Sequence, residues 1–547
     1  MQSVDIRPSE WRWVILVSAI LIFLSVIPFF VVVSGTGDPS VQFMGAVHGY
    51  QAAAVDLAHV TESAQGRFLV HWLHTGEPHP GSLTDGLHVF AGMLARFLNV
   101  EPIILYQVTR VGASLFMYMA LYYFGASIWT RLRARQVFFG LVSIAGGLGW
   151  LLAVLTDLRG YPDLSLTGFF PYQTTLFSAN LSFAIGALAI LAASLVAAST
   201  VSRRAAPSVD NQGLTVLLFS TLLSLVYPVA LLPVLVAFLG LMLAHLITNR
   251  KSLGRDMRWM LWSGVPSLPL IAFYVLALLY NPVAQELWLQ QNLVAPPELL
   301  PLLGGLGLPL LIAIPGIWRA VRRFESDGNQ FMIGWLAAML ILMYVSPVIR
   351  VNFGIGLMIP IAYFATRAVE DVWLDRIPRT WRSRVFAAFV PVLAASHLAM
   401  TLLPLGRAEL YAPGTVTLER DYLTAFRWLA ATPERDAVVL AAPNVSVWLP
   451  SWTARRVVYA GPRVTLNPAE KRRAVENWYG ADDSGTFNCT ALLNGAGARF
   501  AGYQVTYVLD GPQERALGDS ACIELLEPVA SFGAVNIYSY STNPGRE

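Results

Sequence analysis

The residues with the most chemistry to offer gather in one stretch. Between Ser34 and Glu101 stand Asp38, Glu77 and six histidines: His48, His59, His71, His74, His79 and His88. Asp38 falls a few residues past the end of a long apolar run. There a carboxylate meets the membrane surface, within reach of a lipid-linked substrate, or else it simply punctuates the turn Gly37-Asp38-Pro39. Glu77 and His79 sit in Thr75-Gly76-Glu77-Pro78-His79-Pro80-Gly81, a turn braced by proline and glycine that presents a carboxylate and an imidazole. The histidine spacing defines no metal site. His71 and His74, three apart, share a helix face, which packing explains as well as ligation.

Other polar groups stand in two later loops. Asp157–Gln173 carries Asp157, Arg159 and the second acidic candidate, Asp163. Asn281–Pro297 carries Glu286, Trp288, Gln290, Gln291 and Asn292; these amides and the aromatic suit sugar recognition or an ordinary interfacial belt. Two arginines stand where a membrane penalises charge. Arg110 lies about two turns inside an apolar helix, and an ionisable group at that depth is a functional candidate. Its expected partner is a loop carboxylate such as Asp38 or Glu77, an anionic ligand, or the surface by snorkelling. Arg350, in Pro347-Val-Ile-Arg350-Val-Asn352-Phe353-Gly354, suits bidentate capture of a phosphate at headgroup depth, or interface anchoring.

The elements that must position these groups are transmembrane helices. The chain has 547 residues, 55% hydrophobic and 13% charged, about half the charge of a soluble protein. A crossing needs about 20 apolar residues. By that measure about eleven runs qualify: Trp11–Val33, Pro102–Trp129, Gln136–Thr156, Thr174–Thr200, Leu214–Val226, Pro228–Ile247, Arg258–Tyr280, Leu300–Trp318, Phe331–Val348, Asn352–Thr366 and Val385–Leu405. The first reads as a signal anchor, being longer than a signal peptide's apolar core. Basic flanks on both sides of Leu214–Ile247 require a hairpin there, with Tyr227-Pro228 as its turn.

Arginine distribution sets the expected sidedness. Arg7 and Arg12, Arg131 to Arg135, Arg319 to Arg323 and Arg367 to Arg384 fall on one face, the cytoplasmic one by the positive-inside rule. The polar loops and residues 406–547 then face outward. Two domains are expected: residues 1–405, with the long first outer loop 34–101, and residues 406–547, whose composition is that of a soluble domain. The loop itself shows helical spacing over His48–Leu73 and Leu83–Leu98, two interfacial helices.

The carboxy-terminal domain reads as mixed α/β. Helices are expected over Leu418–Ala431 and Ala469–Tyr479, and strands over Ala437–Ala442, Arg456–Ala460, Gln504–Asp510 and Val535–Tyr540. It shows no catalytic set and suits acceptor recognition or a structural lid. Its two cysteines, Cys489 and Cys522, pair in an oxidising compartment or stay as buried thiols. Phosphate-loop, dinucleotide, HExxH and zinc-finger patterns are absent, and no basic, aromatic-interleaved stripe points to nucleic acid.

This arrangement resembles the GT-C superfamily of integral-membrane glycosyltransferases, which use polyprenyl-phosphate-linked sugars. The likeness is to uncharacterised bacterial members, in segments such as TGEPHPGSL (Thr75–Leu83), GGLGWLLAVL (Gly146–Leu155), WLQQN (Trp288–Asn292) and RVNFGIGLMIP (Arg350–Pro360). The resemblance implies a GT-C-like polytopic α-helical membrane protein with an extracytoplasmic α/β domain, multi-pass in the bacterial inner membrane of the cell envelope, with a cytoplasmic amino terminus. It implies Asp38 as catalytic base and Asp163 as assisting acid. Arg350 and Arg110 would hold the carrier phosphate, with Glu77, His79, Gln291 and Asn292 as further substrate contacts. The partners implied are a polyprenyl-phosphate sugar, membrane lipids and an extracytoplasmic glycan, lipid or protein acceptor. Magnesium or manganese is the metal to consider. A lone Asp38-Pro39 stands where several branches carry paired acids, so metal dependence and activity itself stay open. The rivals are a non-catalytic scaffold of the same fold, or a lipid-linked-sugar transporter or flippase.

Overall fold

The computed structural model describes residues 6–35, 39–83, 85–151, 168–200, 211–248, 253–323, 328–406, 413–480, 488–495 and 502–540. The apolar runs form helices because continuous Leu, Val, Ile, Ala and Phe leave the backbone to satisfy its own hydrogen bonds, which a membrane demands. Eight described helices are long and apolar enough to cross. They are Pro8–Gly35, Pro102–Ile128, Leu132–Leu151, Ala179–Ala197, Asp256–Tyr280, Leu299–Arg323, Arg350–Arg376 and Arg379–Gly406. Three more of the expected runs are shorter helices: Gly213–Val226, Pro228–Leu243 and Asn329–Val345. The chain breaks at Tyr227 (φ −154°, ψ 75°) before Pro228, as the missing amide hydrogen of proline requires.

The chain divides into two compact units. The first holds residues 1–26, 110–273 and 292–403. Its core is a cluster of buried apolar side chains including Tyr118, Phe138, Phe169, Leu188, Trp335 and Phe364. Small residues set its tightest approaches: a Cβ on Gly316 would meet the Phe364 carbonyl at 2.1 Å, so only glycine lets Leu299–Arg323 lie against the helix at Met358–Ala368. Near the start of Leu132–Ile144, Arg135 is buried because Glu10 accepts its Nη1 at 2.9 Å, and Tyr122 donates to the same carboxylate at 2.6 Å.

The second unit holds residues 27–109, 274–291 and 404–547. Residues 406–547 are thus packed in one body with the first long loop. Its main sheet runs β4-β3-β5-β7-β6. Here β3 (Val438–Leu440) pairs parallel with β4 (Arg456–Val457) and β5 (Tyr507–Asp510); β7 (Val535–Ser539) pairs antiparallel with β5 and with β6 (Glu527–Phe532). Helices Arg420–Ala431, Pro443–Thr453 and Pro468–Tyr479 cover it. A separate ladder joins β1 (Val41–Phe43) of the loop to β2 (Thr417–Glu419), antiparallel, with Val41 opposite Glu419. Cys489 and Cys522 form a disulfide with Cα atoms 5.5 Å apart.

Candidate functional site

Two helices of the long loop bring two acids and two histidines together. Tyr50–Ala64 places Asp56 and His59 one turn apart, hence on one face. Gly86–Leu98 begins at Asp85, whose left-handed backbone (φ 56°, ψ 51°) aspartate tolerates better than most residues, and places His88 one turn on. Gly92 sets the spacing between the helices: a Cβ there would meet the Val60 carbonyl at 2.3 Å.

Each helix therefore contributes one acid and one histidine, and the pairs cross. His59 Nδ1 lies 2.8 Å from Asp85 Oδ2, and His88 Nδ1 lies 3.7 Å from Asp56 Oδ1. Both histidines are buried, while the Asp56 and Asp85 side chains keep 17% and 29% of their exposure. The acid–histidine set is therefore reached from the carboxylate side. Burial and the neighbouring Asp85 charge hold the Asp56 carboxyl well above its ordinary range. Burial also pushes Asp85 up, but the hydrogen bond and charge of His59 outweigh it and hold Asp85 low. Burial lowers His88 to about 4, so its ring is neutral at pH 7 with a lone pair to offer. Asp56, Asp85 and His88 each present a ligand atom, all within 4.8 Å of one another.

The turn residues Glu77 and His79 are held by their own surroundings. Glu77 is fully buried, and Lys471 Nζ lies 2.7 Å from both its oxygens. Thr75 donates to the same carboxylate. His79 accepts the Trp72 amide at 2.9 Å and its other ring nitrogen lies 2.9 Å from the Glu77 carbonyl, so the imidazole braces the turn. Burial lowers it to about 4, and the neutral ring this leaves is the form that accepts an amide hydrogen. Glu62 closes a further network, accepting from His71 and from Arg67. Gln291 donates to the Arg463 carbonyl at 3.3 Å, and Gln290 beside it to the Pro462 and Thr465 carbonyls. These amides hold backbone.

In the first unit, Arg110 is 8% exposed and donates from Nη1 to the Thr175 carbonyl at 2.6 Å. That carbonyl belongs to the last turn of Pro171–Phe177, the end of a helix that favours a cation. Glu77, named as a possible partner, is already bound to Lys471. Asn292 and Arg350 come together through one loop. The Ile349 amide donates to the Asn292 carbonyl at 3.0 Å, and Asn352 Nδ2 to Asn292 Oδ1 at 2.9 Å. Ile349 itself is left-handed (φ 64°, ψ 12°), a strained state for a β-branched residue. Arg350 Nε donates to the Ser346 carbonyl at 2.7 Å, which fixes the root of the guanidinium. A cavity of about 590 Å³ in this unit is lined by apolar side chains such as Leu311, Trp373 and Phe389, with Arg133 among them. It lies toward the Arg376 end of the helical stretch Arg350–Arg376, away from the Arg350 loop. Asp38 and Asp163 lie outside the described residues.

No protein-family model matches the sequence, and no protein of curated function matches it significantly. Solved structures do match. ArnT from Cupriavidus metallidurans in the apo state aligns with a TM-score of 0.53 at 12% identity, over 97% of this chain and 98% of that one. ArnT bound to undecaprenyl phosphate aligns at 0.52 and 12% identity, over 99% and 100%. The arabinofuranosyltransferase AftD from Mycobacteria aligns at 0.52 and 15% identity, over 97% of this chain and 42% of that one. The chain has a GT-C fold.

Within this GT-C fold, the crossed acid–histidine set escaped the sequence reading, which weighed the histidines by their spacing to one another. The signal was present as a repeated Asp-x-x-His, at Asp56-Leu-Ala-His59 and Asp85-Gly-Leu-His88. Lys471 was equally overlooked as the counter-ion of Glu77.

Proposed function

We propose that this protein is a membrane glycosyltransferase that takes a sugar from a polyprenyl-phosphate donor and passes it to an acceptor on the outer face of the membrane. The GT-C fold over nearly the whole chain carries this reading. One of the matching structures is an ArnT bound to undecaprenyl phosphate, the kind of lipid carrier the reading requires. The arginine-rich segments support an arrangement in which the first long loop and residues 406–547 face away from the cytoplasm.

The chemistry is direct displacement. Asp38 removes the proton of an acceptor hydroxyl as that oxygen attacks the anomeric carbon. The bond from that carbon to the carrier phosphate breaks, and the phosphate leaves with the bonding pair. Asp163 assists the base. Arg350 stabilises the charge on the departing phosphate, a role its fixed root and the strained Ile349 beside it favour. Asn292 holds the backbone of the Arg350 loop, and Arg110 holds the Thr175 carbonyl.

The test is purified protein in nanodiscs with radiolabelled polyprenyl-phosphate sugars. Wild type transfers or hydrolyses the sugar, and Asp38→Asn loses roughly 10²- to 10⁴-fold, the contribution of a general base. Equal turnover in both removes Asp38 from the reaction. Counterflow of intact donor without bond cleavage replaces the transferase with a transporter.

A further inference from the structure

The crossed acid–histidine set has the geometry of a metal centre that the reaction above does not use. Carboxylate oxygens of Asp56 and Asp85 and a ring nitrogen of His88 lie within 4.8 Å of one another. The 3.7 Å between His88 Nδ1 and Asp56 Oδ1 is too long for a hydrogen bond. It is close to the spacing of two donors on one tetrahedral ion, about 3.4 Å when each metal bond is about 2.1 Å. Two carboxylates facing each other beside buried imidazoles repel unless a cation or a proton stands between them, and a divalent ion removes that repulsion.

We propose that Asp56, Asp85 and His88 ligate one divalent transition-metal ion, with zinc the best fit. Two oxygens and one imidazole nitrogen are a zinc-type donor set with at least one position left open. Magnesium prefers an all-oxygen octahedron and is disfavoured by the imidazole. The open position is reached from the exposed carboxylate edge, because His88 is fully buried. His59 completes the outer shell: its Nδ1 meets the second ligand's carboxylate at 2.8 Å, and the ring itself is 3% exposed. A metal-bound carboxylate is commonly oriented by such a hydrogen bond. The packing at Gly92 holds the two helices at the separation the ligands need.

This inference does not rest on the transferase reading, since a chain that moved no sugar would hold the ion equally well. The experiment measures metal directly. Full-length protein in nanodiscs is stripped with chelator, equilibrated with micromolar Zn²⁺, desalted and analysed for metal. Wild type retains about one ion per chain, and its thermal midpoint rises with Zn²⁺ and falls on chelation. Asp56→Asn and His88→Ala lose the ion and the Zn²⁺-dependent shift. His59→Gln keeps the ligands and weakens binding by roughly 10- to 100-fold. Cobalt substitution adds a readout independent of folding yield: a tetrahedral absorption band in wild type, absent in Asp85→Asn. Wild type that retains no zinc overturns the proposal. So does full metal retention by variants that elute as folded monodisperse protein.

Discussion

Two clusters in the same unit place carboxylates beside basic groups, and they end differently. At the Thr75–Gly81 turn every part of the charge is answered. Lys471 meets both oxygens of Glu77, Thr75 donates to them, and neither side chain is exposed. Between the two helices of the long loop, two acids and two histidines pair crosswise and leave a partly exposed edge. The first arrangement is what a buried ion pair needs merely to exist, since each charge has given up its water. The second keeps its carboxylates partly open to solvent. A functional candidate in a polar loop is therefore better recognised by its burial than by the reactivity of its residue types.

Four measurements break or sharpen that contrast. The largest effect belongs to the closed pair. Lys471→Met leaves a bare carboxylate in the interior and lowers stability by about 3–5 kcal/mol. The double change Glu77→Leu with Lys471→Met recovers most of that loss, read as denaturation midpoints of the purified protein. If the single change is nearly neutral, the pair is not the clamp described.

Acidification comes next. Burial outweighs the Val447 carbonyl contact and lowers His74 to about 4. The folded state therefore prefers the neutral ring, and its share of stability is complete above the ordinary histidine value of about 6.5. As pH falls from there toward 4, the unfolded chain takes up the proton first. His74 alone then costs on the order of 2 kcal/mol at pH 5. Thermal midpoints at pH 7 and pH 5 check this, and His74→Gln narrows the gap between them.

Asp85→Asn is expected to change stability by less than about 2 kcal/mol in metal-free protein, since the carboxamide still accepts from His59. A collapse of the fold would put Asp85 in the same class as Glu77. The smallest effect is at Asp436, whose carboxylate meets Arg67 at 3.2 Å but is 79% exposed. Asp436→Asn shifts the midpoint by no more than about 0.5 kcal/mol, as surface ion pairs do.

Much of the fold was legible along the chain. Apolar runs announced the helices, and proline at 228 announced the break after Val226. Short apolar runs around Val438–Leu440 and Tyr507–Asp510, buried throughout, announced strands. These are local properties, carried by neighbouring residues. What stayed hidden depends on pairing at a distance. Glu77 and Lys471 stand 394 residues apart, and nothing near Glu77 marks it as a buried clamp. The Thr75–Gly81 turn looked like an exposed presentation of reactive groups because proline and glycine report conformation and not burial. The strain at Ile349 was equally invisible, since a left-handed isoleucine exists only where surrounding contacts impose it.

The ladder between β1 and β2 has a consequence for the birth of the molecule. Val41 and Glu419 are made far apart in time: at about 5–20 residues per second, the ribosome needs roughly 20–75 s to travel from one to the other. During that interval the newly made loop waits with one edge unclaimed, open to quality-control proteases and holdases. Completion of this unit is therefore a late event that waits for the segment carrying β2.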